Sequence, residues 1–288
     1  PTEIYQEIFK YACTDDGTTG RSLSLVSRYF HEASRRFQLQ CLALKGERQL
    51  HGFVHYLSGL PPNDRRVRHL CISLVLDAVP KTTKYRLVVD EGTFDFWEHR
   101  ETSASLLQLL RFVSPSLATL HLISNLRRTS ILLPIPLPFL QSLTIHGPMR
   151  VGSRIKDTLP MFPSLQHLSL RLFHEYPTTT LRQISRQAPS LRSLSFSLDR
   201  PMPVLSRDFA RALEYTSYDP TQGFPVSLLR IHVRHIADSV VERNIWLRSA
   251  QKAMLKELSA VVERDQRVAV VGICHLLDYH EAQLHWLE

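Results

Sequence analysis

Cysteine is scarce in this 288-residue sequence, with four residues at positions 13, 41, 71 and 274. No two form a CxxC pair and none accompanies an HxxxH spacing, so neither a disulfide framework nor a zinc knuckle is indicated. They read as buried reduced thiols, which favours a cytoplasmic or nuclear protein over a secreted one. Glycine is also scarce, at ten residues. No GxGxxG, GxxxxGK[ST] or GxSxG segment occurs, so nothing recommends a nucleotide-binding loop, a nucleophile elbow or an enzyme of another kind. No apolar run approaches the roughly 18 residues that cross a bilayer. No charged and apolar leader opens the chain, although a start at Pro1 rather than Met points to residues upstream.

What is present is a composition able to bury a large core. The chain is 43% hydrophobic and 22% charged, and one of this length buries roughly 75% of its unfolded surface. Its net charge is +8, and the excess is uneven: residues 145–235 hold 12 Lys or Arg against 6 Asp or Glu. A weakly basic face follows, suited to an acidic protein or to nucleic acid.

The opening stretch PTEIYQEIFKYAC places Ile4, Ile8, Phe9 and Ala12 at helical steps, with Thr2 able to cap the start. After the polar break TDDGTTG, Leu23, Val26, Phe30, Ala33 and Phe37 recur at steps of three and four, predicting a second amphipathic helix. Two such helices cannot bury both faces alone, so the block 1–45 must pack on the rest of the chain or on a partner.

Beyond it an internal repeat appears, P-x-L-x-x-L-x-(L/I/F): PSLATLHL, PFLQSLTI, PSLQHLSL and PSLRSLSF. The first leucines are Leu117, Leu140, Leu165 and Leu191, giving periods of 23, 25 and 26 residues, inside the range of leucine-rich repeats. Outlying copies start at Val67 (VRHLCIS) and include Leu228, Ile231 and Val233 (SLLRIHV). Helical patterns at SASLLQLLRFV and TTLRQISRQA lie between the strands, and an aromatic and charged insertion covers 77–100. The asparagine that closes the turn in standard leucine-rich repeats is missing. A helix from Asp238 to about Glu263 and a strand in RVAVVGI are expected to close the open end. The expected fold class is therefore α/β: a short N-terminal helical block (1–45), then an irregular leucine-rich-repeat-like solenoid (46–288) with a C-terminal helix and strand.

The first block, PTEIYQEIF followed by SLSLVSRYF, resembles the F-box. Pro1, Glu3, Ile4, Ile8 and Phe9 fit the first part of that pattern, and Leu25, Val26, Ser27, Arg28 and Phe30 the second, with Phe30 where Trp is usual. Together with the repeats, the chain is similar to F-box and leucine-rich-repeat proteins, and this segment to F-box proteins of mushroom-forming fungi. The resemblance implies a substrate receptor of a cullin-RING ubiquitin ligase. Its Skp-type adaptor, and through it a cullin, would bind at Pro1, Ile4, Ile8, Phe9, Leu25, Val26 and Phe30. The alternative is a free-standing leucine-rich-repeat interaction protein whose helical block serves as an N-terminal cap.

Strand alternation supplies a second surface. With Leu120 and Leu122 inward, Thr119, His121 and Ile123 face out, and the same parity exposes His69, Cys71 and Ser73; Ser142, Thr144 and His146; His167, Ser169 and Arg171; Ser193, Ser195 and Ser197; and Arg230, His232 and Arg234. The expected target-binding residues are His121, His146, His167, Arg171, Arg230, His232 and Arg234, on a face that lacks carboxylates and suits an acidic or phosphorylated segment. Fourteen histidines raise the question of metal, but no HExxH occurs, and Cys274, His275, His280 and His285 do not share one helix face. No metal and no cofactor is expected. The basic residues are scattered arginines without interleaved aromatics, which argues against nucleic acid.

Overall fold

The computed structural model describes residues 2–74, 96–123, 131–146, 149–150, 159–173, 180–198, 200–218, 224–235, 244–273 and 286. They fall into two units, Pro1–Leu117 with Trp286–Glu288, and Ala118–His285.

In the first unit, helix α1 (Thr2–Ala12) presents Tyr5 and Phe9 one turn apart, so both rings enter one core. The polar break turns at Asp15 and Gly17. The Asp15 carboxylate accepts the Gly17 and Thr19 amides, which orients the first turn of α2 (Thr18–Val26). Gly17 has φ 93°, and a Cβ there would lie 2.9 Å from a Leu42 methyl, so glycine is required on both counts. The expected second helix divides. Ser27 is extended, and its hydroxyl accepts the Phe30 amide at 3.2 Å, ending α2 and starting α3 (Arg28–Ser34). The chain continues into β1 (Cys41–Lys45), α4 (Gly46–Gly59), a 3-10 turn (Pro62–Asp64), β2 (His69–Ser73) and α5 (Phe96–Val113). Strands β1 and β2 pair in parallel from Cys41 opposite His69 to Lys45 opposite Ser73.

The second unit is built on the repeat. Its main strands are β3 (Thr119–Ile123), β5 (Ser142–His146), β7 (His167–Phe173), β8 (Ser193–Leu198), β9 (Arg230–His235) and β10 (Val268–Ile273), side by side in chain order and all parallel. Two short strands, β4 (Ile131–Leu132) and β6 (Met149–Arg150), form a separate parallel pair. Helices α6 (Thr180–Gln187), α7 (Pro203–Tyr218) and α8 (Ile245–Arg264) carry the chain back between strands, as parallel pairing demands.

The P-x-L segment explains the register. Leu140, Leu165, Leu191 and Leu228 are buried, and each donates its amide to the carbonyl three residues earlier. One carbonyl before each strand then receives two amides from the next copy. Ala118 accepts from Gln141 and Ser142, Gln141 from Gln166 and His167, Gln166 from Arg192 and Ser193, and Arg192 from Leu229 and Arg230. The result is a strict row of Leu120, Leu143, Leu168, Leu194 and Ile231, all buried. Full burial of one such side chain contributes about 1.5–3 kcal/mol.

The expectation of a helical block followed by a leucine-rich-repeat-like solenoid is overturned. The architecture is an α/β arrangement of parallel strands with interleaved helices. The helices expected at SASLLQLLRFV, at TTLRQISRQA and in the closing segment are present as α5, α6 and α8, but a period near 25 residues measures only a strand plus its return and gave no sign of α7. The N-terminal helices do not stand apart either. The Gln40 side chain donates to the Lys10 carbonyl, the Ala43 amide of β1 to the Asp16 carbonyl, and the Gln40 carbonyl accepts the Arg68 and His69 amides leading into β2. The closing helix begins at Ile245, capped by the Asn244 side-chain Oδ1, which accepts the Trp246 and Leu247 amides, while the residues just before Asn244 lie outside those described. So do Pro1, positions 77–95 of the expected insertion, and Cys274, His275, His280 and His285.

Candidate functional site

Two surfaces answer to the residues singled out in the sequence, one in each unit. In the first, Tyr5, Phe9 and Phe30 pack ring against ring, with centroids 5.3 Å apart for Tyr5 and Phe30 and 5.5 Å for Phe9 and Phe30. Cys13, Ala33, Leu23 and Phe37 complete this core. Backbones approach closely as well: a Cβ on Gly20 would lie 2.8 Å from the Gln38 carbonyl oxygen. Of the expected adaptor residues, Phe9 is thus buried in the core of the helices, and Phe30 is half-buried against it. The others face solvent: Ile4 is 57% exposed, Ile8 52%, Leu25 85% and Val26 63%, joined by Tyr11 and Tyr29. The helices therefore keep Tyr5, Phe9 and Phe30 at their core and leave aliphatic residues and two tyrosines uncovered, which costs solvation unless something covers them.

In the second unit, side chains of the same parity form rows across the strands. The first row runs Thr119, Ser142, His167, Ser193, Arg230, the second His121, Thr144, Ser169, Ser195, His232, and the third Ile123, His146, Arg171, Ser197, Arg234. Across β5, β7, β8 and β9 these positions hold only Ser, Thr, His and Arg. Exposure along the face is uneven. His167, Arg230 and Arg234 are exposed, and Arg171 and His232 are half-buried.

His121 and His146 depart from the expectation: they are 5% and 3% exposed, and their Nε2 atoms lie 3.0 Å apart. Alternation does put both on the polar face, but they are diagonal neighbours on adjacent strands, so the rings stack at 5.1 Å and satisfy each other. Burial, then the neighbouring His121 and Arg171, push the His146 pKa down to about 3, so this ring is neutral at physiological pH. Neither is available to a target. Cys71 and Ser73, expected outward on β2, are likewise buried, and burial lowers the pKa of His69 at its start.

Cys13, Cys41 and Cys71 are free and buried. Burial raises their thiol pKa values, to about 11 for Cys13 and about 12 for the other two, so they are poor nucleophiles. Near the start of β10, Arg267 grips the Asp265 carboxylate through two nitrogens, holding that carboxyl below its usual range, and lies over the Phe224 ring at 6.0 Å. This arrangement ties the turn before β10 to the core. Among the described residues no group of three or more His, Cys, Asp or Glu is placed to hold a metal ion, and no helix is long and apolar enough to cross a membrane.

The aromatic role of Tyr5 was missed in the sequence, although its spacing from Phe9 carries the signal. The pairing of His121 with His146 was legible only in part: they are one repeat period apart with the same parity, but nothing in the spacing shows that the face is covered there. No protein-family model matches the chain, and no curated protein matches it in sequence.

Proposed function

We propose that this chain is a binding protein rather than a catalyst, a substrate receptor that docks on a Skp-type adaptor, and through it a cullin, by α1–α3 and holds a target protein on the polar sheet face. The observation that carries the reading is the exposure of Ile4, Ile8, Leu25 and Val26 on helices whose own core is already filled by Tyr5, Phe9 and Phe30. An aliphatic surface on a well-packed scaffold is what a partner helix would bury. The F-box-like wording of the same segment gives the partner its identity, and a cytoplasmic or nuclear setting accompanies it.

The test is Ile8→Asp combined with Val26→Asp. Both positions are exposed in the free chain, so the fold should survive. In a complex each carboxylate would be buried without a partner, costing on the order of several kcal/mol. Capture by purified Skp adaptor should be lost while circular dichroism stays unchanged. Undiminished capture by the folded double variant, or no capture by the parent chain, would sink the adaptor assignment.

A further inference from the structure

We propose that Arg230, His232 and Arg234 on β9, with Ser193 and Ser195 on β8, form a binding site for the phosphate group of a phosphorylated peptide segment. The proposal rests on the part of the preceding reading that gives the polar sheet face to the target, and it names the chemistry of that target.

Strand geometry assembles the site. Arg230, His232 and Arg234 alternate along β9 and so point to one side, each about 6.6 Å from the next at the usual rise of a parallel strand. The two arginines therefore precede and follow His232 on one side of the strand. Ser193 lies in register with Arg230 and Ser195 with His232, one strand spacing or about 4.8 Å away, and both are half-buried. On the other side Ala269 of β10 is the register partner of His232 and offers only a methyl group, so the row stays open.

The charges are unspent. Arg230 and Arg234 are exposed, and neither makes an ion pair or side-chain hydrogen bond with any described residue. No carboxylate occupies the three rows across β5, β7, β8 and β9. Arg171 lies two strands away, in the row of Arg234, and donates to the Ser169 hydroxyl, so the site is confined to β8 and β9. Arg267, next to this face, is already held by Asp265, which shows the contrast between a spent and an unspent arginine.

A phosphate monoester suits this arrangement better than a carboxylate. Its near-double charge and three acceptor oxygens can take forked guanidinium hydrogen bonds from two sides and a serine hydroxyl from a third, whereas a carboxylate is satisfied by one fork. A peptide suits it better than a nucleic acid, because the three rows across β5, β7, β8 and β9 carry no Phe, Tyr or Trp on which bases would stack.

The experiment uses the full chain and a fluorescein-labelled Gly/Ser peptide with one central phosphoserine, read by fluorescence polarisation against its unphosphorylated twin. The phosphopeptide should bind at least about tenfold tighter, as the loss of one charge-assisted contact implies. Its affinity should fall between about 50 and 300 mM salt as screening shortens the reach of the charges. Arg230→Ala with Arg234→Ala should remove at least that tenfold preference, while Arg186→Ala, exposed on helix α6 and outside the three rows, should leave it intact. Equal binding of the two peptides, no saturation up to about 1 mM, parent-like binding by the folded double variant, or tighter binding of an oligothymidine than of the phosphopeptide would each overturn the proposal. Adaptor capture is measured on the same proteins. Capture retained with peptide binding lost by the arginine variant supports the site, whereas phosphopeptide binding by a parent chain that captures no adaptor defeats the docking reading alone.

Discussion

Replacing Leu168 by alanine tests whether the leucine rows form the core of the second unit. Leu168 sits in mid-sheet on β7, in register with Leu143 on one side and Leu194 on the other, and is 3% exposed. Truncation removes the transfer free energy of the buried side chain and leaves a cavity between two neighbouring strands that their paired backbones prevent from closing. Such substitutions cost about 2–5 kcal/mol. For a unit spanning 118–285, with a fall of about 2–4 °C per kcal/mol, the melting temperature should drop by roughly 4–20 °C. The paired control is His167→Ala, one residue earlier, whose side chain is exposed on the opposite face and makes no hydrogen bond to a described residue. It should change stability by no more than about 0.5 kcal/mol. Urea unfolding followed by far-ultraviolet circular dichroism reads both. Equal losses from the two, or the larger loss from His167→Ala, would refute the assigned register, because a one-residue shift exchanges the two faces.

Two further perturbations probe the buried histidine and the helical packing. Unfolded His146 takes up a proton near its ordinary pKa, but the folded ring does so only near pH 3, so the unfolded state binds more protons throughout that window and stability falls as pH drops. By pH 5 the loss from this group should reach roughly 2 kcal/mol relative to pH 7, with His69 contributing in the same direction. His146→Gln should flatten the dependence measured by urea unfolding at the two pH values, and an unchanged slope would refute the assignment. Gly20→Ala should destabilise by about 1–3 kcal/mol, since its Cβ would press on the Gln38 backbone. Gly52→Ala, in α4 with open space around it, should instead stabilise by about 0.5–1 kcal/mol; thermal melts showing the same sign for both would contradict the close approach of α2 to Gln38.

Much of this molecule was decided locally. The 3.6-residue spacing of Tyr5 and Phe9, and of the apolar residues in α5 and α6, is enough to make helices, because each places one apolar stripe toward whatever lies beneath. The P-x-L-x-x-L unit likewise carries its own instructions: a turn that buries the first leucine, a strand that buries the next two, and alternation that turns Ser, His and Arg the other way. Periodicity cannot measure what is not periodic. Ser27 ends a helix through one hydroxyl, against an apolar pattern that continues past it. A spacing of about 25 residues fits more than one architecture, so the helices between strands were legible, but only the folded chain showed an α/β arrangement of parallel strands in place of the expected block and solenoid. Exposure depends on what other segments cover. Thus His121 and His146 share the parity of Arg230 and Arg234, yet the first pair lies buried ring against ring while the second faces water, a difference that strand parity does not contain.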